Sequence, residues 1–163
     1  MIICIISSII LVLIISILIY GIRHRASIYS YNFEDSYRKY GIPIMTFTIN
    51  NKEYNFLIDS GSTISFIHSS VVKEHNILVT NAEISCLTAG GDIKGDKISI
   101  INISNYCSVF KGIPFYINSI VDANLDKETA TIKVPISGIL GGDFLSSFGF
   151  ILNYDKKIIS YTL

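Results

Sequence analysis

The chain has no excess of charge of either sign: thirteen Lys and Arg balance thirteen Asp and Glu in 163 residues. Binding to nucleic acid rests on clustered Lys and Arg that neutralise phosphates, so the balance excludes nucleic acid as a partner. Cysteine and histidine are scarce, at three each. His24, His68 and His75 are scattered, and no Cys/His pair has ligand spacing, so no metal is expected. Cys4 lies in an apolar N-terminal run, while Cys86 and Cys107 fall in predicted strands, where a small buried hydrophobe is the ordinary reading and a disulfide is not implied. Cofactor signatures are missing as well. Gly90 and Gly95 have phosphate-loop spacing, but Asp96 stands where Lys must follow.

Charge is absent altogether from Met1 to Ile22, a segment dominated by Ile, Leu and Val. At 1.5 Å per residue, about twenty such residues cross the roughly 30 Å hydrocarbon core, so a transmembrane helix is predicted over residues 1–22. A cleaved signal peptide is the competing reading. It would need a basic start and a small-residue cleavage site, whereas no Lys or Arg precedes this run and it leads directly into Tyr20-Gly21-Ile22-Arg23. An uncleaved, single-pass anchor is therefore expected, with no Gly-x-x-x-Gly to nominate a dimer face within the bilayer. Arg23, Arg25, Arg38 and Lys39 follow it, and the positive-inside rule leans the remainder toward the cytoplasm. The Asn102-Ile103-Ser104 sequon would matter only on a luminal side. Residues 23–40 are polar and tyrosine-rich without a strong period, and are read as a linker that holds the domain clear of the headgroups. Tyr29, Tyr31 and Phe33 at the interface are the alternative.

The domain is expected over residues 41–163. Ile42 to Ile49 and Tyr54 to Ile58 are β-rich runs joined by Asn50-Asn51-Lys52-Glu53, a hairpin pattern that delivers Asp59. The apolar run Phe56-Leu57-Ile58 stops at this acid, which is followed by Ser60-Gly61-Ser62-Thr63. A carboxylate at the mouth of a core is costly unless hydrogen-bonded, and these residues offer donors within turn reach. Taken alone, the triplet suits an Asx turn equally well. Thr63 to Ile67 reads as extended, and Ser70 to His75 as a short helix capped by Ser69 or Ser70. Ile84 to Leu87 and Ile93 to Ile101 form a second hairpin pattern around Thr88-Ala89-Gly90-Gly91-Asp92. Phe110 to Val121 supplies strand, Asp122 to Lys133 a charged loop, and Val134 to Gly141 a further strand. A short helix then opens at Asp143, and strands from Phe150 to Tyr154 and Ile158 to Leu163 close the chain.

The downstream segment Ile139-Leu140-Gly141-Gly142-Asp143-Phe144-Leu145 complements the Asp59 loop. Together the two segments resemble the retropepsin-like aspartic proteases: an apolar strand ends in Asp-Thr/Ser-Gly, and later two apolar residues and Gly precede a helix near Asp-Phe-Leu. The resemblance runs from about Ile42 to Leu163. It implies an all-β fold, a closed acid-protease barrel with one short helix, here preceded by the transmembrane helix. It also implies an aspartic endopeptidase with a peptide or protein substrate, in which Asp59 is catalytic and Ser60, Gly61 and Ser62 support it. Ser60 would bond across a dimer, and Ser62 would donate to the carboxylate. Thr88 to Asp92 would be the tip of a mobile flap, with an ordinary hairpin loop as the alternative. Ile139, Leu140 and Gly141 would thread behind the site, Gly141 and Gly142 being demanded by close backbone packing, and Asp143 would be a structural cap.

Such chemistry needs two carboxylates sharing one proton, and the chain has no second Asp-Thr/Ser-Gly. The resemblance therefore implies a homodimer with Asp59 from each subunit. Two other readings stand beside it: a catalytically silent retropepsin-like module for dimerisation or protein binding, and an unrelated β-domain whose triplet is accidental.

Overall fold

The protein's structure is a computed structural model that describes residues 14–16, 28–88 and 91–162, with the side chains of 83–96 left aside. Most of the predicted membrane helix lies outside the described residues. Among those described, no helix is long and apolar enough to cross a membrane.

Strands β2 (Ile44–Ile49) and β3 (Lys52–Ile58) form the first hairpin, with Ile44 opposite Leu57 and Ile49 opposite Lys52. Its two-residue turn puts Asn50 and Asn51 at φ of 46° and 67°. Asn tolerates the left-handed region, and two such residues in succession match the right-handed twist of the flanking strands. Alternation along β3 sends Tyr54, Phe56 and Ile58 into the main core and Leu57 to the opposite face.

The barrel closes through non-local pairings. Its strand order is β2, β3, β8 (Gly138–Leu140), β4 (Phe66–Ile67), β7 (Val109–Ile117), β6 (Gly91–Ser104), and Thr48 opposite Ser104 returns β6 to β2. β8 lies parallel to β3 and antiparallel to β4, so it threads between the strands that enter and leave the Asp59 loop. β5 (Thr80–Thr88) pairs with the first part of β6 to make the second hairpin, which is longer than expected and runs as far as Thr88 opposite Gly91. Phe47, Phe56, Phe110, Phe115, Phe144 and Leu140 fill the main core. On the other face Ile44, Phe66, Tyr116 and Ile136 form a second apolar layer.

Several expectations change. Residues 28–40 are folded rather than linking. β1 (Ile28–Asn32) pairs with β10 (Ile158–Thr162), which pairs in turn with β9 (Ile151–Asn153). α1 (Glu34–Tyr40) follows, with Phe33 only 1% exposed at its start. The side-chain oxygen of Asn32 accepts from the Glu34 N–H, acids occupy the first turn and bases the last, and Gly41 ends the helix at φ 75°. That arrangement suits the helix dipole and the left-handed cap. The short helix expected at Asp143 is α4 (Gly142–Ser147) and the one expected over Ser70 to His75 is α2 (Ser69–Glu74), whereas α1 and a further helix, α3 (Ser119–Ile132), were not expected. Asp122 to Lys133, read as a loop, belongs to α3 (Ser119–Ile132). Asn118 caps it, and Val121 and Leu125, one turn apart, bury against the second apolar layer. α2 (Ser69–Glu74) is capped by His68, not by a serine: the imidazole Nδ1 accepts from the Ser70 N–H. Cys107 is an exposed free thiol in the turn between β6 and β7 rather than a buried strand residue.

A polar cluster ties α2 to the first hairpin. The Tyr54 hydroxyl lies 3.0 Å from Glu74 Oε2 and 2.7 Å from His75 Nε2. A carboxylate only accepts, so the one hydroxyl proton goes to Glu74 and His75 donates from Nε2. Burial, reinforced by Glu74, holds the Tyr54 phenol above its ordinary pKa. Hydrogen bonds from Lys52 and then Tyr54 hold Glu74 below its own.

Candidate active site

Asp59 stands where β3 ends, its N–H bonded to Leu140 O at 3.1 Å, so β8 fixes the last backbone group before the loop. The side chain is exposed. Its Oδ1 accepts from the Gly61 N–H at 2.8 Å, and the Asp59 carbonyl accepts from the Ser62 N–H at 3.2 Å. One carboxylate oxygen is thus oriented by the loop's own backbone, and the group opens to solvent at the end of a buried strand.

What keeps the loop in place lies behind it. Gly142 N–H donates to Ser62 O at 2.7 Å and Asp143 N–H to Thr63 O at 3.1 Å. Asp143 grips the far end of the loop, Oδ2 accepting from the Ser65 N–H at 3.0 Å and Oδ1 from the Ser65 hydroxyl at 2.6 Å. That hydroxyl also accepts from Gly141 N–H at 3.0 Å, and Ser65 is completely buried. Asp143 therefore holds the loop rather than facing Asp59, and the fixed charge has a wider effect. With burial as the larger cause, it raises the Tyr116 phenol's pKa.

Glycine is required where these two segments touch. A Cβ on Gly141 would sit 2.4 Å from Ile64 O, 2.6 Å from Ile64 C and 2.9 Å from Ser62 O, all backbone atoms of the loop. At Gly142 the nearest such contact is 3.4 Å, an ordinary one. The demand for glycine is thus confined to the first of the pair, while Gly138 carries one that sequence reasoning missed. A Cβ there would lie 2.4 Å from Phe66 O and 2.6 Å from the Phe56 ring. Its isolated place in a strand was the signal available.

The structure brings Asp59, Gly61, Ser62, Leu140 and Gly141 into one hydrogen-bonded unit, with Ile139 paired to Leu57 beside it. Ser62 departs from expectation: its hydroxyl is buried and donates to Ile64 O at 2.7 Å, bracing the loop instead of the carboxylate. Ser60 is exposed beside Asp59. Thr88, Gly91 and Asp92 lie at the end of the β5–β6 hairpin, and Ala89 and Gly90 fall outside the described residues. Ser65 was missed, because its partner is 78 residues away and a lone serine carries no local signal. Among the described residues no His, Cys, Asp or Glu group could hold a metal.

An acid on a strand-end turn, pinned from behind by a strand threaded between its two flanks, defines a retropepsin-like aspartic protease fold. The chain belongs to the aspartyl protease family, whose sequence profile matches residues 45–144, from β2 to the start of α4. Among solved structures it is similar to a retropepsin-like aspartic protease from Rickettsia conorii, at 17% identity and a TM-score of 0.50 over 85% of this chain and 96% of that one. It also matches the retroviral protease-like domain of Ddi1 from Leishmania major, at 12% identity and a TM-score of 0.48 over 75% and 94% of the two chains. The EIAV protease, solved with the inhibitor HBY-793, matches at 16% identity and a TM-score of 0.45 over 65% and 86%. No curated protein sequence matches the chain.

Proposed function

We propose that the protein is a membrane-anchored aspartic endopeptidase whose active site pairs Asp59 of one subunit with Asp59 of a second copy. The observation that carries this reading is the exposed Asp59 carboxylate, oriented by the Gly61 N–H on a loop that is otherwise locked by backbone bonds. One acid of this kind per chain is half of the required machinery. Two carboxylates in contact cannot both ionise, so the pair holds one proton at working pH. The ionised member takes a proton from water as its oxygen attacks the peptide carbonyl, and the protonated member donates to the carbonyl oxygen. The tetrahedral adduct then collapses, and a proton passes to the leaving nitrogen as the C–N bond breaks. Water supplies the atoms added to the two products, and the pair ends with the one proton it began with.

In this reading Ser60 bonds across the dimer beneath the carboxylates, the β5–β6 hairpin closes over the peptide, and residues 1–22 anchor each subunit. Arg23, Arg25, Arg38 and Lys39 beyond the apolar run favour a cytoplasmic domain. Confinement to one membrane raises the effective concentration of the partner subunit. The test is subunit mixing. Excess Asp59→Asn chains added to wild type should poison peptidase activity, because mixed pairs hold one competent acid. Activity proportional to the wild-type chains present, at concentrations where sedimentation shows mixed dimers, would sink the shared site. A folded Asp59→Asn homodimer that still cleaves peptides would sink the aspartic mechanism.

A further inference from the structure

The folding of residues 28–40 onto the domain changes how far the site stands from the bilayer. Between the apolar run, which ends at Ile22, and the first paired residue, Ile28, lie only residues 23–27. Fully extended they reach at most about 20 Å, against about 65 Å had the chain been free from 23 to 40. β1 is secured along its whole length. Five register pairs join it to β10, from Ile28 with Thr162 to Asn32 with Ile158. The Tyr29 ring stacks on Tyr161 at 5.5 Å. Phe33 is buried, its N–H donates to Lys157 O at 2.9 Å, and Lys157 Nζ lies 4.2 Å over the Tyr37 ring of α1. Ile28, the first residue of β1, is 76% exposed.

A body made of residues 28–163 has a radius of gyration of about 14 Å and is therefore about 40 Å across. Adding the tether places Asp59 no more than on the order of 60 Å above the headgroups, whatever the domain's orientation. Two copies in one bilayer meet at the same height, so a site built from both inherits that ceiling.

Resting on the peptidase reading above and on retention of the apolar run, we infer that the substrates are proteins held in the same membrane. Their scissile bond lies in an extended stretch close to the bilayer surface. Such a bond shares the plane of the site and is presented at high local concentration. A bond carried high on a tall rigid domain on the same face of the membrane passes above the cleft.

The test uses the full chain in proteoliposomes, with a peptide that the detergent-solubilised full chain cleaves, selected from a library. That peptide is offered free, or on a transmembrane anchor through a rigid helical stalk of ten or sixty residues, the latter standing about 90 Å high. Wild type should cleave the short-stalk substrate at least tenfold faster than the tall one. A variant with forty Gly/Ser residues inserted between Ser27 and Ile28 should cleave the two within threefold of each other. Equal rates of wild type on both stalks would overturn the inference, as would a discrimination that the insertion leaves unchanged. Equal cleavage of the free peptide by both proteins, with Asp59→Asn as the blank, would show the peptidase reading standing while the height limit is judged alone. No cleavage of any substrate beyond that blank would overturn both.

Discussion

Gly141→Ala isolates the contact on which the geometry of the Asp59 loop depends. Gly141 has extended backbone, φ −93° and ψ −173°, so alanine is allowed there and the effect must come from space alone. The added Cβ would lie 2.4 Å from Ile64 O, where carbon and oxygen ordinarily stay at least about 3.2 Å apart, so loop and strand must part by about 0.8 Å. Overpacking of a tight interior costs about 1–3 kcal/mol. The upper end is expected, because the colliding atoms are backbone held by the Gly142, Asp143 and Ser65 hydrogen bonds. Activity should fall further than stability, since a misplacement near 1 Å at a reacting group costs about a hundredfold in rate. Urea denaturation and kcat should be read on Gly141→Ala beside Gly142→Ala. At Gly142 the nearest contact is 3.4 Å and the site is a first helical turn, so alanine should change stability by less than about 0.5 kcal/mol. If Gly141→Ala is as stable and active as wild type, or Gly142→Ala is equally damaging, the close-approach argument is wrong.

Asp143→Ala removes both acceptors of a fully buried serine and should cost about 3 kcal/mol in chemical denaturation, with Asp143→Asn milder; a loss below about 0.5 kcal/mol for alanine would contradict the grip. Phe33→Ala should cost about 3–5 kcal/mol, and a chain beginning at residue 41 should lose its cooperative unfolding transition, because β1 and α1 are part of the core; a stable domain from residue 41 would restore the linker reading. Glu74 has its pKa lowered by Lys52 and Tyr54, so its contribution to stability is full above the model-compound value of 4.5 and is lost as pH falls through the lower folded value. Thermal melts should therefore show wild type and Glu74→Gln converging as pH drops below about 4, and a constant gap down to pH 2 would refute the linkage. Lys133 ends α3 at φ 59°, so Lys133→Gly should stabilise by about 0.5–1 kcal/mol in the same denaturation assay, and a destabilised variant would show that the lysine side chain matters more than the backbone strain.

The sequence by itself determined the features whose causes lie within a few residues. Asn50-Asn51 sets the first hairpin, alternation along β3 sets which side chains face the core, and an acid followed by Ser-Gly-Ser turns the chain where the strand ends. The pairing of that loop with Ile139-Leu140-Gly141 was legible only because two motifs occur together in one order. Tertiary structure decided the rest. The Ser65 to Asp143 grip, the need for glycine at Gly138 and the threading of β8 between β3 and β4 join residues that are distant in the chain, so no local pattern announces them. The charged stretch after Asn118 became a helix because Val121 and Leu125 found an apolar layer made by Phe66, Tyr116 and Ile136, which do not meet until the barrel closes. Residues 28–40 likewise read as polar linker, since β1 exposes every second residue and gains its hydrogen bonds only from β10, at the other end of the chain. Local propensity settles where the backbone turns, and burial, which depends on what arrives opposite, settles which segments belong to the fold.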